Sequence, residues 1–248
     1  REEKDALAVS DATTATVYFA CASNYKLCAG TFAYGGCIDE KWCPEHLDND
    51  VVADSEALVT AAMKRGYAEL KSRHLADYHG LAGRVTVDFN ADPADAQVST
   101  PELLERYRHG ERSAYLEETH FQFGRYLLVS SSRPGTLPAN LQGVWSGFDQ
   151  AKWGSGYWYN INVQMNYWPA FSTNLGECFQ ALADFDATWR PLTRPYAIAA
   201  ARRLGRVPMT DRTACADIWC VGTANRPYSF DADIGGHSGP GTGGLTSR

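Results

Sequence analysis

Apolar side chains recur at helical spacing in the first long pattern of the chain, which covers 54–82. Residues three or four positions apart lie on one face of a helix, so the run from Leu58 to Leu81 predicts an amphipathic helix. Asp54 and Ser55 precede this run and are residue types that favour helix N-caps. The pattern therefore predicts a helix over 54–82 that begins at one of these two residues.

More helices are predicted beyond a polar stretch at 90–101, which contains two prolines and is the best linker candidate in the chain. Helical spacing resumes at Pro101. Ser113 is the predicted N-cap of a strongly amphipathic helix that ends at 132–135, where the sequence is Ser-Arg-Pro-Gly. Three shorter helices are predicted after it, over 162–171, 177–187 and 196–204. The chain is therefore predicted to be mainly α-helical.

Two short segments have the character of strands. Residues 15–22 are rich in β-branched and aromatic side chains, and residues 85–89 alternate between apolar and polar. A lone strand pair is not stable in water. Residues 15–22 therefore either dock on the rest of the chain or form the last strand of a sheet whose other strands lie upstream.

Composition and charge exclude several classes of protein. The chain has 248 residues, a formal net charge of −6 and a pI of about 5.5, so it offers no broad basic surface for nucleic acid. It contains no apolar run of membrane-spanning length, so membrane insertion is not expected. The first residue is Arg1, no leader precedes the pattern, and the last residues follow a Gly-rich turn. We expect a partial chain.

Two patterns, one of cysteines and one of glycines, are candidates for ligand sites. Cys21, Cys28, Cys37 and Cys43 lie at loop-like intervals that differ from the paired spacing of structural zinc sites. Two disulfides or buried thiols are both favoured over a metal, and the pairing stays open. The Gly-rich stretch at 235–244 lacks the lysine that follows the last glycine of a Walker loop, which excludes nucleotide binding there.

The segment with the clearest chemistry consists of residues 137–145 and 153–170. It interleaves aromatic residues with six side-chain amides: Asn140, Gln142, Asn160, Asn162, Gln164 and Asn166. An uncharged amide both donates and accepts hydrogen bonds, as sugar hydroxyls require, and aromatic rings cover the apolar face of a sugar. An extended backbone at Ile161 would point Asn160 and Asn162 to one side, whereas a helix from Asn162 would align Asn162 with Asn166. Buried amides that tie loops together are the structural alternative.

These strings resemble the hallmark segment of glycoside hydrolase family 95, the α-L-fucosidase family. The resemblance rests on Pro138-Ala-Asn-Leu-Gln-Gly-Val-Trp145, Trp153-Gly-Ser, Asn160-Ile-Asn162, Gln164-Met-Asn-Tyr-Trp-Pro169 and Asn174-Leu-Gly-Glu-Cys178. It implies part of an (α/α)6-barrel catalytic domain preceded by a helical linker and the end of a β-sandwich. The implied boundaries are 1–52 for the sandwich, 53–100 for the linker and 101–248 for a truncated barrel. Twelve helices need roughly 200 residues, more than the stretch from Pro101 to Arg248 offers.

The resemblance also implies an activity and a set of site residues. The family releases L-fucose from α-1,2-linked glycan ends with inversion and without a metal or other cofactor. Asn160 and Asn162 match the pair of asparagines that holds the attacking water. The implied substrate-binding residues are Gln142, Trp153, Ser155, Gln164, Asn166, Trp168 and His237. Ser155 stands where some members have a histidine, and His237 either contacts sugar or packs under the Gly-rich loop.

The catalytic carboxylates of the family lie downstream of the asparagine pair, and we expect them outside this chain. No catalytic role is assigned to the carboxylates that are present, which include Glu177, Asp184, Asp186, Asp217, Asp231 and Asp233. Two other functions remain open: a non-catalytic carbohydrate-binding fragment or homologue, and an α-L-galactosidase of the same family. The expected partner is a fucosylated glycan, and the expected location is extracellular or at the cell surface.

Overall fold

The computed structural model describes residues 2–3, 6–23, 25, 50–159, 161–203, 219–222, 224–225 and 244–246. Its described part is mainly helical, as predicted. The chain divides into two compact units. The described residues of the first lie within Arg1–Tyr25 and Pro44–Asp77, and those of the second within Tyr78–Arg248. The boundaries predicted at 52/53 and 100/101 stay predictions.

The first unit contains a small antiparallel pair, β1 (Glu2–Glu3) and β2 (Ala6–Leu7). Residues 15–22 form no ladder with any described strand, so the strand predicted there stays a prediction. Val17 is 83% exposed, so its β propensity is not supported by burial on a sheet. Of the four cysteines discussed above, only Cys21 falls in the described part, where its thiol is free and exposed.

Helix α1 (Val51–Ala82) starts three residues earlier than predicted. Asp50 Oδ1 accepts hydrogen bonds of 3.0 Å from the backbone N–H groups of Val52 and Ala53. Asp50 therefore caps the helix, and the expectation of a cap at Asp54 or Ser55 is wrong. Gly66 interrupts the helix with φ 75° and ψ 163°, a conformation that glycine reaches without a Cβ penalty.

Two helices follow the polar stretch, which contains one short 3-10 turn at Asp95–Gln97. They are α2 (Thr100–Arg108) and α3 (Ala114–Ser131). Ser113 caps α3 as predicted, with its Oγ accepting from Leu116 N at 3.2 Å and donating to Asp95 Oδ2 at 2.5 Å. The cap thus joins the linker to α3.

The strand predicted over 85–89 is also wrong, because this segment has irregular backbone. The Val85 carbonyl accepts from Gln122 Nε2 at 3.1 Å and from Arg125 Nη1 at 3.0 Å. Arg125, itself buried, also donates to the carbonyls of Leu81 and Ala82 at 3.1 and 2.7 Å. Side chains of α3 thus replace a neighbouring strand and satisfy the last carbonyls of α1, which have no intrahelical partner.

The helices after position 160 differ from the prediction. The single helix expected over 162–171 is two, α4 (Asn162–Tyr167) and α5 (Pro169–Ser172). The two helices expected over 177–187 and 196–204 are one, α6 (Gly176–Arg203). A buried stripe runs along α6 and overrides the low helix propensity of the two prolines within it. Its members are Cys178, Ala181, Leu182, Phe185, Thr193, Ala197 and Ala201.

Two further antiparallel pairs lie in the second unit. Strand β3 (Tyr157–Trp158) pairs with β5 (Ala224–Asn225), so that Tyr157 is opposite Asn225. Strand β4 (Trp219–Val221) pairs with β6 (Gly244–Thr246). None of the helices in the described ranges is both long and apolar enough to cross a membrane.

The core of the second unit lies between α3, α4, α5 and α6 and contains the aromatic residues Tyr157, Tyr159, Tyr167 and Phe185. The Tyr167 hydroxyl shares a 2.7 Å hydrogen bond with the Ser132 hydroxyl and accepts from Ala139 N at 2.8 Å. One buried phenol therefore connects α4 to the end of α3 and to the start of the amide-rich segment.

We expect Tyr167→Phe to lower the free energy of unfolding by about 1–3 kcal/mol, because it leaves the buried Ala139 N–H and Ser132 hydroxyl without this partner. Thermal and denaturant unfolding of the full-length protein measure the change. The control is Tyr126→Phe, at a half-exposed ring that stacks on Phe123. Equal stability of the two variants would contradict the assigned role of the Tyr167 hydroxyl.

Candidate active site

The amide-rich segment begins with a tight turn. The backbone N–H groups of Asn140 and Gly143 each donate to the carbonyl of the other at 3.0 Å, and Asn140 Oδ1 accepts from Gln142 N at 2.8 Å. Gly143 has φ 76°, which favours glycine at this position. Asn140 thus uses its side chain to close the turn.

Gln142 and Asn166 fasten the turn to its neighbours. Gln142 Nε2 donates to the Lys152 carbonyl at 2.9 Å, and Asn166 Nδ2 donates to the carbonyls of Ala139 and Asn140 at 3.4 and 3.2 Å. Gln142 Oε1 is buried and has no hydrogen-bond partner among the described residues. Each of these two predicted substrate-binding amides therefore donates at least one hydrogen bond to a backbone carbonyl.

Gln142 and Asn166 also border the same cavity, which we call the amide cavity. Its volume is about 530 Å³. The wall combines these amides with Ser131 and the apolar side chains of α3, together with Trp145 and Pro169. Trp145 is 84% exposed, so a large aromatic surface is open beside two amides. This combination suits a ligand with hydroxyl groups and an apolar face.

Gln164 makes a clamp on the backbone that leads into α4. Its Oε1 accepts from Ile161 N at 3.0 Å, and its Nε2 donates to the Tyr159 carbonyl at 2.8 Å. Ile161 has φ 128°, which is costly for a β-branched residue and needs such support. We refer to these two hydrogen bonds as the Gln164 clamp.

Of the two asparagines matched to the water-holding pair, Asn162 lies in the described part of the chain and Asn160 does not. Asn162 is the first residue of α4 and is partly buried. Because the helix begins there, Asn162 and Asn166 share a helical face, which is the second of the two alternatives from the sequence. Asn160 lies outside the described residues, as does His237, so their predicted roles stay predictions.

Trp153 and Ser155 lie in a 3-10 turn, Lys152–Ser155, in which three successive residues have positive φ. The values are 59°, 60° and 51° for Trp153, Gly154 and Ser155. Trp153 is 69% exposed and meets the Trp158 ring edge to face at 5.4 Å. Backbone strain of this kind costs about 1–2 kcal/mol per non-glycine residue and is concentrated at functional sites.

A second cavity, which we call the aspartate cavity, has a volume of about 450 Å³. Gln164 and Trp168, both predicted to bind substrate, line it together with Asp186. The rest of its wall is almost entirely aromatic or aliphatic, with Tyr159, Val163, Tyr167, Phe171, Phe179, Leu182 and Trp219. The structure thus distributes the predicted residues over two cavities, and neither lining includes Trp153, Ser155 or Asn162.

Asp186 is the carboxylate with the most unusual surroundings in the described part of the chain. Burial raises its pKa to about 7, although the hydrogen bond from the Tyr159 hydroxyl and the charge of Arg190 both act in the opposite direction. Burial, reinforced by Asp186, raises the pKa of Tyr159 well above its ordinary value. Asp186 therefore changes charge near neutral pH.

The sequence also contains a signal for Asp186. Asp186 follows Leu182 by four positions and Phe185 by one, on the buried side of α6. A carboxylate at such a position is unusual and indicates either a partner or a function. The helical period of α6 distinguishes Asp186 from Asp184, whose carboxylate accepts a hydrogen bond from the exposed Gln180.

Glu177 serves the fold. It lies in the first turn of α6, where a negative charge is favourable, and its carboxylate pairs with Arg84 Nη1 at 2.7 Å. The hydrogen bond from Arg84 lowers the pKa of Glu177. Within the described ranges, no group of three or more His, Cys, Asp or Glu residues is arranged to hold a metal ion.

Comparison with known proteins places this geometry in context. Residues 66–233 match the model of the glycosyl hydrolase family 95 catalytic domain. The chain is 42% identical over 133 residues to "Probable alpha-fucosidase A" of Aspergillus niger, a match that covers 53% of this chain and 17% of that protein. It is 40% identical over 131 residues to "Alpha-L-fucosidase 2" of Arabidopsis thaliana, covering 51% of this chain and 15% of the relative. The match thus spans less than a fifth of each relative's length.

We expect the stability of the protein to depend on pH through Asp186. Its folded-state pKa is raised, so the native state binds this proton more tightly than the unfolded state, and the stabilisation present at acid pH is lost as the pH rises toward about 7. Asp186→Asn removes this cost and should raise the free energy of unfolding at pH 8 by up to about 4 kcal/mol relative to the parent. Thermal unfolding between pH 4 and 8 measures the difference, which should shrink toward pH 4. A gap that is constant across this range would contradict the prediction.

Proposed function

This chain belongs to glycosyl hydrolase family 95, and from that membership we propose that the complete protein is an α-L-fucosidase. Two relatives with fucosidase names, from a fungus and a plant, support this activity. The structural observation that carries the proposal is the Gln164 clamp, because it fixes the backbone on both sides of position 160 and at the start of α4. The two asparagines that we assign to the attacking water stand at positions 160 and 162.

We propose that the reaction proceeds with inversion at the anomeric carbon. An inverting glycosidase needs space for a water molecule between its carboxyl groups, and that water must be aimed at the face opposite the leaving oxygen. An amide oxygen is too weak a base to remove the proton, but it accepts a hydrogen bond and so orients the water. A carboxylate then takes the proton and a carboxylic acid protonates the leaving group.

We assign neither the general acid nor the general base among the described carboxylates. Glu177 is paired with Arg84 at the surface, Asp184 accepts from Gln180, and Asp186 is held by Tyr159. Without an assigned acid–base pair, the residues of this chain alone are proposed to be inactive. The complete protein is proposed to supply both groups.

The proposed substrate is a glycan with a terminal α-1,2-linked L-fucose, and the proposed location is extracellular or at the cell surface. Aromatic surface next to amides supports a sugar ligand, since Trp145, Trp153 and Trp168 are all largely exposed. The same surface supports the second candidate function, a carbohydrate-binding module that does not cleave its ligand. Catalytic turnover separates the two.

We expect the full-length protein to release fucose from α-1,2-fucosylated galactosides, and Asn160→Ala or Asn162→Ala to lower kcat by about 100-fold because the water loses its orientation. Quantification of free fucose measures the rate. Gln180→Ala is the matched control, an amide on the exposed side of α6 that should keep the parental rate. Parental kcat in both asparagine variants would refute the assigned role, and binding without turnover in the parent would favour the binding module.

Inversion has its own expected outcome. Proton NMR spectra recorded in the first minutes of hydrolysis should show β-L-fucose as the initial product of an α-linked substrate. The α anomer should follow only as the sugar mutarotates. Initial appearance of the α anomer would show retention and would contradict the role given to the held water.

The preferred sugar follows from the same experiment with a second substrate. L-Galactose differs from L-fucose by one hydroxyl in place of a hydrogen on the terminal carbon. A pocket built for a methyl group rejects a hydroxyl only weakly, so kcat/KM for the α-L-galactoside should be lower by about 100-fold or less. A higher kcat/KM for the galactoside would instead identify an α-L-galactosidase.

A further inference from the structure

Tyr159 is held at both of its ends. Its hydroxyl donates to Asp186 Oδ1 on α6, and its backbone carbonyl accepts from Gln164 Nε2 on α4. Its side chain is buried in the core that α4 and α6 share. The position of this residue is therefore set by two helices at once, immediately before Asn160 in the sequence.

An aspartate is an energetically costly partner for the buried hydroxyl of Tyr159. The neighbouring buried phenols use uncharged partners: Tyr167 contacts Ser132 and Ala139 N, and Tyr157 donates to the Pro138 carbonyl. A neutral acceptor thus satisfies a buried hydroxyl in this same core. Burying a carboxylate adds a desolvation penalty that hydrogen bonding to one phenol does not remove.

A charged acceptor, however, holds a hydroxyl more tightly and in a narrower geometry than a neutral one. That matters at Tyr159 because the backbone two residues later is strained, with Ile161 at φ 128°. Any movement of the Tyr159 carbonyl would loosen one of the two hydrogen bonds of the Gln164 clamp. The other hydrogen bond of the clamp holds Ile161 N, next to Asn162.

We propose that Asp186 is a positioning residue which, through the Tyr159 hydroxyl, fixes the backbone that leads into α4 and so directs the amide of Asn162. This inference rests on the proposed function, in which that amide orients the attacking water. In this role Asp186 acts through Tyr159 and needs no contact with the reacting atoms. Its own setting is rigid, because it lies in the middle of the 28-residue helix α6 beside the core residues Leu182 and Phe185.

Arg190 stands one turn further along α6 and is the nearby cation that acts on Asp186. Its guanidinium lies over the ring of Trp219 in β4, with 5.3 Å between its central carbon and the ring centroid. Trp219 in turn lines the aspartate cavity with Tyr159 and Asp186. Arg190 thus acts on Asp186 through its charge, while the Asp186 carboxylate accepts the hydrogen bond from Tyr159.

The first test follows the backbone directly and does not depend on activity. Amide hydrogen exchange of the full-length protein, read on peptides that cover 157–167, should be about 10-fold faster in Asp186→Ala and in Tyr159→Phe than in the parent. Asp186→Asn should exchange at a rate between those of Asp186→Ala and the parent, because its amide oxygen still accepts from the phenol but without the charge that strengthens the bond. Asp184→Ala, two residues away on the same helix, is the matched control and should exchange at the parental rate.

The second test asks whether the position of this backbone matters for turnover. Asp186→Ala and Tyr159→Phe should each lower kcat for fucose release by about 10-fold and change KM by less than about twofold, since positioning acts in the transition state. The double variant should be no slower than the slower single variant, because both changes break one connection. Asp186→Asn should recover kcat to within about threefold of the parent.

The possible outcomes separate this inference from the proposed function. Parental exchange rates in both Asp186→Ala and Tyr159→Phe would overturn the inference even in an active enzyme. Faster exchange with unchanged kcat would show that Asp186 only stabilises the fold, which also overturns it. If the parent releases no fucose, the proposed function fails, and the inference fails with it only when the exchange rates are unchanged as well. Faster exchange in that case supports Asp186 as the residue that holds this backbone.

Discussion

The second unit depends on two hydrogen bonds of the Tyr167 hydroxyl. This hydroxyl binds the Ser132 hydroxyl at the end of α3 and the Ala139 N–H at the start of the amide-rich segment. A long irregular segment can stay close to a core only if its buried backbone groups find partners. This phenol, on the buried face of α4, provides one of them, and the amide cavity lies directly beside the backbone that it holds.

The amides of the segment combine the two interpretations that the sequence left open. Asn140, Gln142, Gln164 and Asn166 hydrogen-bond to backbone groups and tie loops together, as the structural interpretation expected. Gln142 and Asn166 nevertheless border one cavity, and Gln164 borders another. Amides are suited to this double use because each offers both donors and acceptors without a charge that must be neutralised. The same residues can therefore build the walls of a sugar site and hold them in place.

The described carboxylates divide by their surroundings. Glu177 is exposed, and the half-buried Asp184 accepts from the exposed Gln180, so solvent keeps an ionised carboxylate inexpensive at both and its contribution to stability small. Asp186 is paired with a buried phenol in an aromatic environment, and its pKa is raised to about 7 as a result. A carboxylate kept at such a cost is expected to serve a geometry rather than stability. In this chain that geometry is the backbone between β3 and α4.

The features that the sequence by itself determined depend on contacts between residues that are close together in the chain. The Ser113 cap, the helix after it and the helical start near Pro101 depend on residues within a few positions of each other, and the amide-rich strings were sufficient to identify the family. Tertiary contacts decided the rest. The segment 85–89, expected to be a strand, is irregular because the side chains of Gln122 and Arg125 bind the Val85 carbonyl. Helix α6 continues past its two prolines because its stripe of buried residues continues past them. The division of the amides between two cavities and the burial of Asp186 against Tyr159 likewise join residues far apart in the chain, and no local pattern encodes such distances.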